Sequence, residues 1–155
     1  MQKACIYEKY VYFCGHTHHE SMKTERHTTV DAALARDLRR LGYRALTLAY
    51  YDREGLLQNA DGADPVLKDH NAPSPTRTRG PRCYSAPTLT EVQEWLRQRK
   101  RHMLLVQYDS FFGGKGTYFC RIVRLKDGLS RDTRQRKTYD AALHDGIRQT
   151  AKMLL

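Results

Sequence analysis

A histidine-rich segment near the N-terminus carries the residue types best suited to binding a metal ion. Cys14, His16 and His18 recur at every second position of the sequence CGHTH. In an extended chain, residues at this spacing point to the same side, so one thiolate and two imidazoles can converge on a zinc ion. A structural zinc site needs a fourth ligand, for which the candidates are Cys5, His27 and Cys83. The alternative is a polar loop, in which case the protein needs no cofactor.

The sequence contains no spacing that is typical of a catalytic centre. No local signature ties a cysteine to a histidine as nucleophile and base. The glycine-rich GGKG segment at 113–116 lacks the G-x-x-x-x-G-K-[ST] spacing with which a P-loop binds phosphate. We therefore expect a binding protein rather than an enzyme, although the sequence leaves enzymatic activity open.

Basic residues provide the stronger functional signal, because their charge is concentrated in one part of the chain. The net charge is +10 at pH 7, and residues 88–155 carry fourteen Lys or Arg but only seven Asp or Glu. A positive field of this kind attracts polyanions such as DNA and RNA, although it also suits an ordinary solvated surface. The candidate nucleic-acid-binding residues are Arg77, Arg79, Arg82, Arg97, Arg99, Lys100, Arg101, Lys115, Arg121, Arg124, Arg131, Arg134, Arg136 and Lys137.

Aromatic residues near the same glycine-rich segment are candidates for contacts with bases. Phe111, Phe112 and Tyr118 lie on either side of it. Exposed aromatic rings stack on bases, whereas buried rings pack in a core. Core packing is the commoner role of aromatic residues beside a turn.

The N-terminal part of the chain, residues 1–52, predicts a β-α-β unit. Its first segment, ACIYEKYVYFC, is rich in β-branched and aromatic residues and favours a strand. A helix follows, with Thr29 as its N-cap, Asp31 in its first turn and Gly42 just past its end. The next segment, YRALTLAYY, predicts a second strand.

Residues 53–87 predict a linker or long loop. This stretch holds all five prolines of the chain and shows no sustained helical or strand period. Structureless segments of this length are unusual within one compact domain, which favours a boundary here. Its arginines form a flexible basic arm that either follows a phosphate backbone or serves as a soluble tether.

The remaining residues, 88–155, predict an α-β-β-(β)-α module. Thr88 and Glu91 have the T-x-x-E spacing of a capping box at the start of a helix. MLLVQY and TYFCRIVRL form a hairpin, and a short edge strand or an exposed connector follows. Thr138 caps the final helix. Gly146 lies in the middle of that helix, where a close approach to the sheet would explain it.

Together these elements predict an α+β fold with small antiparallel sheets and helices on one face. The sequence T-x-D-A-A-L occurs at the start of both the first and the last predicted helix. This echo allows two related ββα-like halves. A threonine cap, an acidic first turn and alanines are also general features of a helix start, so the echo has a simpler explanation.

Membrane and secreted proteins do not fit the sequence. No apolar run approaches the roughly 18–20 residues that a membrane span needs. The N-terminus lacks the apolar stretch and cleavage site of a signal peptide. The four cysteines form no CxxC pair, so we expect free or buried thiols in a reducing compartment. We therefore expect a cytoplasmic protein with no membrane partner.

Residues 86–155 resemble a module of small uncharacterised proteins from gut-bacterial phages and mobile elements. The pattern is P-T-L-x-x-V-x-x-W-L-R, a short hairpin, and then Y-x-x-A-L-x-x-G-I-x-x-x-x-x-x-L. The matching residues are Pro87, Thr88, Leu89, Val92, Trp95, Leu96 and Arg97, then Tyr139, Ala142, Leu143, Gly146, Ile147 and Leu154. These are core, capping or packing positions, so the resemblance implies a fold and a bacterial host but no activity.

The order of elements is also similar to the α-β-β-β-α topology of double-stranded-RNA-binding domains, which recognise the shape of duplexes. That family places a lysine cluster at the start of its second helix, whereas this chain has TYDAALHD, with two acids. Topology alone does not carry the function.

The sequence therefore predicts a non-enzymatic nucleic-acid-binding accessory protein of a phage or mobile element, which binds DNA or RNA mainly through phosphates. The alternative is a protein-interaction or nucleotide-sequestering module, such as a host-defence inhibitor, that binds an acidic protein or a small nucleotide. A steep loss of affinity with salt would support the first prediction. Co-purification of a partner protein or nucleotide would support the second.

Overall fold

The computed structural model describes residues 28–59, 67–72, 83–110 and 116–155. Within these ranges the elements are α1 (Ala32–Arg40), β1 (Tyr50–Tyr51), β2 (Leu57–Gln58), β3 (Tyr84–Ser85), α2 (Leu89–Lys100), β4 (His102–Asp109), β5 (Thr117–Arg124), β6 (Ser130–Asp132) and α3 (Tyr139–Leu154). The strands make two antiparallel sheets with the orders β2-β1-β3 and β4-β5-β6. This arrangement confirms the predicted α+β fold with small antiparallel sheets. The strand predicted for ACIYEKYVYFC lies outside the described residues.

The hairpin of β4 and β5 forms the framework of the C-terminal module. Its register places Leu104 opposite Ile122 and Val106 opposite Cys120. Because side chains alternate between the two faces of a strand, these four residues share one face, and α2 and α3 pack against them. Strand β6 pairs with the other side of β5, so the short edge strand predicted from the sequence is present.

The ends of the helices follow the predicted capping signals. At the start of α2, Thr88 N donates to Glu91 Oε2 at 2.7 Å, and Glu91 N donates to Thr88 Oγ1 at 3.3 Å. This reciprocal pair is the predicted capping box. Thr138 caps α3 by accepting a hydrogen bond from Ala141 N. Gly42, just past the end of α1, adopts φ +87°, a conformation that favours glycine.

The close approach predicted at Gly146 is confirmed. A Cβ placed on this residue would overlap Cys120 Sγ and lie 2.9 Å from Cys120 Cβ and 3.1 Å from Leu104 Cδ2. Glycine therefore allows α3 to lie directly against β4 and β5. This contact fixes the distance between α3 and the sheet.

Helix α1 begins later than predicted. Its N-cap is Asp31, whose carboxylate accepts a hydrogen bond from Leu34 N at 2.8 Å, so the prediction of Thr29 as the cap is wrong. Thr29 is instead held in extended backbone by a bridge to Thr88. Because this bridge keeps the chain extended past Thr29, the helix starts after the next acceptor side chain.

The two copies of T-x-D-A-A-L therefore begin their helices at different positions. In α1 the aspartate of the motif, Asp31, is the cap, whereas in α3 the threonine, Thr138, is the cap. The aspartate of the second copy, Asp140, therefore lies within the first turn of α3, where it accepts a hydrogen bond from Thr28 Oγ1 at 2.7 Å. Identical letters thus serve different roles in the two helices.

The strand predicted for YRALTLAYY is much shorter in the structure. Only Tyr50–Tyr51 forms β1, and Thr47 makes a single isolated bridge to Lys68. A strand extends only as far as a neighbour pairs with it, and β2 and β3 pair with β1 at two positions each. The rest of this segment is irregular.

Parts of the stretch 53–87 are folded rather than free. It contributes β2 and β3 to the first sheet, and Ala86 is buried in the same core as α1 and α3. Buried Asn71 donates to Tyr43 O at 2.9 Å and accepts from Ser85 N at 3.2 Å. Here a side chain, rather than a helix or a sheet, satisfies the backbone groups. Such a segment has no regular period in its sequence, so the sequence predicted a linker. Residues near the end of this stretch, Tyr84 and Ala86, therefore pack into or against the shared core, whereas Leu56, Leu57 and Leu67 are exposed.

Candidate nucleic-acid interface

The C-terminal end of α2 carries a group of predicted cations that contribute to local structure. Arg97 binds Glu94 on its own helix at 2.6 Å, and this hydrogen-bonded pair lowers the pKa of Glu94. Lys100 Nζ lies 5.3 Å from the centre of the Trp95 ring. Arg101 ends the helix in the left-handed conformation, with φ 58°. Cations at a helix C-terminus also suit its dipole.

A wide depression beside this end of α2 has nearly balanced charge. Its volume is about 800 Å³. Its charged lining residues are three cations and two carboxylates, namely Arg44, Arg99, Lys100, Glu91 and Glu94. Arg44 is in turn bound to Asp69 at 2.6 Å. We refer to this feature as the α2 depression. Little surplus charge remains in it for a polyanion.

Two predicted arginines of β5 are held by carboxylates. Arg121 donates two hydrogen bonds to Asp132, its partner across the strands, at 2.7 and 2.8 Å. Arg124 binds Asp127 in the following turn at 2.6 Å. The hydrogen bonds from these arginines lower the pKa of both carboxylates. Both pairs are exposed, so each contributes little to the stability of the fold.

A second group of cations converges on one side of α3. The segment that runs from β6 to α3 lies alongside the helix, and the two enclose a groove of about 410 Å³. We call it the α3 groove. Its lining residues are Arg131, Arg134, Arg136, Asp145, Arg148, Gln149, Lys152 and Met153. The groove thus combines three predicted arginines with residues of α3 that the sequence analysis did not single out.

The α3 groove has a large surplus of positive charge, with five cations and one carboxylate. The carboxylate, Asp145, accepts hydrogen bonds from Arg136 at 2.8 and 3.1 Å. Arg131, Arg134 and Lys152 are exposed, and none of the three has an ion-pair partner among the described residues. Like charges in one groove repel each other, so a bound polyanion would relieve this repulsion.

A smaller depression extends the positive surface towards the end of the sheet. Its volume is about 370 Å³, and it shares Arg131 and Met153 with the α3 groove. It also includes Arg124, from the end of β5, together with apolar side chains such as Leu129. Arg131 therefore lies at the junction of the two hollows.

Helix α1 holds α3 through the carboxylate that caps it. Asp31 binds Arg148, and it also lies 3.4 Å from His144 Nε2. Although burial raises the pKa of Asp31, the hydrogen bond from Leu34 N and the charges of Arg148 and His144 together lower it. Burial is the main cause of the lowered pKa of His144. The wall of the α3 groove is thus anchored to the N-terminal part of the fold.

Arg148 and Lys152 are the groove residues that sequence reasoning missed. They lie four residues apart in the helix predicted after Thr138, a spacing that places them on one face. The acids of TYDAALHD, at the start of the same helix, do not indicate a basic face. In the structure Asp145 is bound to Arg136, so the later turns of α3 dominate the charge of the groove.

The other predicted sites lie outside the described residues. These are the metal ligands Cys14, His16 and His18, the basic residues Arg77, Arg79, Arg82 and Lys115, and the aromatic residues Phe111 and Phe112. Among the described residues, no group of three or more His, Cys, Asp or Glu side chains is placed to hold a metal ion. The predicted zinc site therefore stays a prediction.

Of the two cysteines in the described ranges, Cys120 is buried and Cys83 is half-buried, and both are free thiols. Burial raises the pKa of the Cys120 thiol to about 12. Only the thiolate is a good nucleophile, so Cys120 is suited to packing rather than to catalysis.

No protein-family model, no curated protein and no solved structure matches the chain. None of the helices in the described ranges has the length and apolar character needed to cross a membrane.

Proposed function

We propose that this protein binds nucleic acid through the α3 groove, as a non-enzymatic accessory protein. One observation carries the proposal: five cations face one carboxylate in this groove, and three of them have no counter-charge among the described residues. Nucleic acids present closely spaced phosphates, and a protein that neutralises them gains affinity by releasing counterions. Arginine side chains also match phosphate geometry with paired hydrogen bonds.

The shape of the α3 groove supports contacts to phosphates rather than recognition of a small molecule. Ligand pockets are mostly apolar cavities with a few polar groups, whereas this groove is open and lined mainly by long cationic side chains. Arg136 is already bound to Asp145, but the side chain of Arg136 is partly exposed. Because the Asp145 side chain is only 14% exposed, the phosphate contacts rest mainly on Arg131, Arg134 and Lys152.

The cellular setting rests on the resemblance of residues 86–155 to a module of phage and mobile-element proteins. On that basis we place the protein in the cytoplasm of a bacterial host. An acidic protein or a small nucleotide would be attracted by the same charge. These two ligands are therefore the alternatives to nucleic acid.

The direct test is equilibrium binding to fluorescently labelled single-stranded DNA, single-stranded RNA, duplex DNA and duplex RNA at low salt. We expect at least one of these to bind, with an affinity that falls as salt is raised. The absence of binding to all four at low salt would contradict the proposal. Binding of a small nucleotide or a co-purified acidic protein instead would support the alternative.

A further inference from the structure

Three tyrosines lie at the end of the sheet where β4 finishes and β5 begins. Tyr108 faces Tyr118 across the strands, with their ring centres 5.1 Å apart. Tyr139, the first residue of α3, lies 6.4 Å from Tyr118 in an edge-to-face arrangement. We call these three residues the tyrosine cluster. It is a continuous aromatic surface made by two strands and a helix.

The tyrosine cluster is open to solvent at both ends. Tyr108 is 59% exposed and Tyr139 is 48% exposed, although both belong to a residue type that gains stability from burial. Tyr118 is half-buried between them and joins the cluster to the fold. The outer rings are therefore held in place by a neighbouring ring while keeping exposed surface.

The ring of Tyr108 lies over a glycine of the neighbouring strand end. Its ring lies against Gly116, where an added Cβ would overlap the tyrosine hydroxyl and ring carbons. Gly116 thus provides the space that the ring occupies. A side chain in place of the glycine hydrogen would therefore displace the ring from its position beside Tyr118.

The tyrosine cluster adjoins the α3 groove through one residue. The backbone of Arg136 exchanges two hydrogen bonds with that of Tyr118, at 2.8 and 2.6 Å, while the side chain of Arg136 lines the groove. Exposed Lys137 follows, and Tyr139 comes two residues later. Cationic side chains that can bind phosphate and an aromatic ring therefore lie within four consecutive residues, 136–139.

We infer that the ligand of the α3 groove is a single-stranded nucleic acid whose bases stack on Tyr108 and Tyr139. This inference rests on the proposed function and names its substrate class. Proteins bind single strands by combining a positive groove for the backbone with aromatic rings for the bases. In a duplex the bases are stacked on one another, so their faces are not available to the tyrosines.

The experiment compares Y108L/Y139L with Y108F/Y139F, using a labelled single strand and a duplex of the same sequence at low salt. Leucine keeps an apolar side chain but removes the ring, whereas phenylalanine keeps the ring. We expect the leucine variant to lose about tenfold or more in affinity for the single strand and to bind the duplex as the wild type does. The phenylalanine variant should bind both as the wild type does.

A second variant, G116A, displaces the ring of Tyr108 without removing any tyrosine. It should also weaken binding of the single strand, with a smaller effect than the double leucine variant. Thermal unfolding of each variant shows whether the fold is kept.

The outcomes separate the inference from the proposed function. Equal single-strand affinity of the wild type and Y108L/Y139L would overturn the inference while leaving the proposed function intact. Tighter binding of the duplex than of the single strand by the wild type would also overturn it. If the wild type binds no nucleic acid at all, the proposed function itself fails.

Discussion

The α2 depression and the α3 groove are both lined with cations, yet their charges are balanced differently. In the α2 depression, three cations share the surface with two carboxylates. In the α3 groove, five cations share it with one. The α2 depression is the larger of the two, about 800 Å³ against about 410 Å³. The size of a hollow therefore does not identify a polyanion site, and the excess of cations over carboxylates is what distinguishes the two.

The difference arises from where the charged residues come from. Around the end of α2, cations and acids lie on the same helix, where residues three or four apart are neighbours. Arg99 and Lys100 therefore share the depression with Glu91 and Glu94, although Glu94 itself binds Arg97, which lies outside the lining. In the α3 groove, cations from β6 and the segment after it meet cations from α3. Each of these two parts of the chain turns basic side chains towards the other. Pairing within one part therefore does not remove the surplus of positive charge in the groove.

The largest expected effect comes from reversing charge on the two surfaces. R131E/R134E alters the α3 groove, and R99E/K100E makes the same change in charge in the α2 depression. At low salt we expect the groove variant to lose about 100-fold in nucleic-acid affinity, because two cations become two anions that repel phosphates. The α2 variant should lose only a few-fold. Fluorescence anisotropy with one labelled oligonucleotide measures both.

Equal losses in the two variants would break the comparison, since they would show that only the total charge matters. A larger loss in R99E/K100E would move the site to α2. Circular dichroism melting curves of both variants check that the altered residues, which lie on the surface, leave the fold intact.

The next effect concerns the contact that sets the position of α3. Substitution of Gly146 by alanine gains about 1 kcal/mol in helix preference, but overlap with Cys120 costs about 1–3 kcal/mol. We expect G146A to lower the free energy of unfolding by about 1 kcal/mol, measured by urea denaturation. This result would show that the α3 groove depends on close packing of its helix against the sheet.

The control for this prediction removes the clashing atom. C120A deletes the Sγ atom that the new methyl group would overlap, so the double variant C120A/G146A should lose less stability than the two single losses added together. If G146A is as stable as the wild type or more so, the close approach at Gly146 has no energetic consequence.

The smallest effect concerns the anchor between α1 and α3. His144 faces Asp31, Arg148 and Asp145, and burial lowers its pKa below the ordinary value of 6.5. The unfolded chain therefore binds a proton more readily than the folded protein. Stability should fall as the pH decreases through 6.5 towards the folded-state value.

The variant H144Q tests this pH dependence, because glutamine does not titrate. We expect its stability to change less between pH 7 and pH 5 than that of the wild type, by thermal melting across the series. The Asp31 carboxylate acts at lower pH. Because its pKa is lowered in the folded protein, the ionised carboxylate stabilises the fold above its ordinary pKa of 3.8, and this stabilisation is lost as the pH falls below that value. Identical pH profiles for H144Q and the wild type would exclude a role for His144.

Local sequence signals predicted the elements of the C-terminal module. The capping box of Thr88 and Glu91, the cap at Thr138 and the close approach at Gly146 depend on residues whose chemistry is read within a few positions. The same signals misplaced the start of α1. Thr29 and Asp31 are both good caps, and the choice between them depends on the bridge from Thr29 to Thr88, far along the chain.

The candidate site was only partly predictable for a similar reason. The sequence identifies Arg131, Arg134 and Arg136 as cations, but it does not show that they face Arg148 and Lys152 across a groove. It also does not show that Arg121 is bound to a carboxylate of the neighbouring strand. Charge is a property of single residues, whereas surplus charge at a surface depends on which elements the fold brings together.

The slope of log affinity against log salt for a labelled single strand tests the central claim most directly. It is measured for the wild type, R131Q/R134Q and R99Q/K100Q. Each phosphate contact to a single strand contributes about 0.7 to this slope, so loss of two contacts should make the groove variant shallower by about 1.4. The α2 variant should keep the slope of the wild type. A slope unchanged in R131Q/R134Q, or reduced equally in both variants, would contradict the assignment of the α3 groove as the phosphate-binding surface.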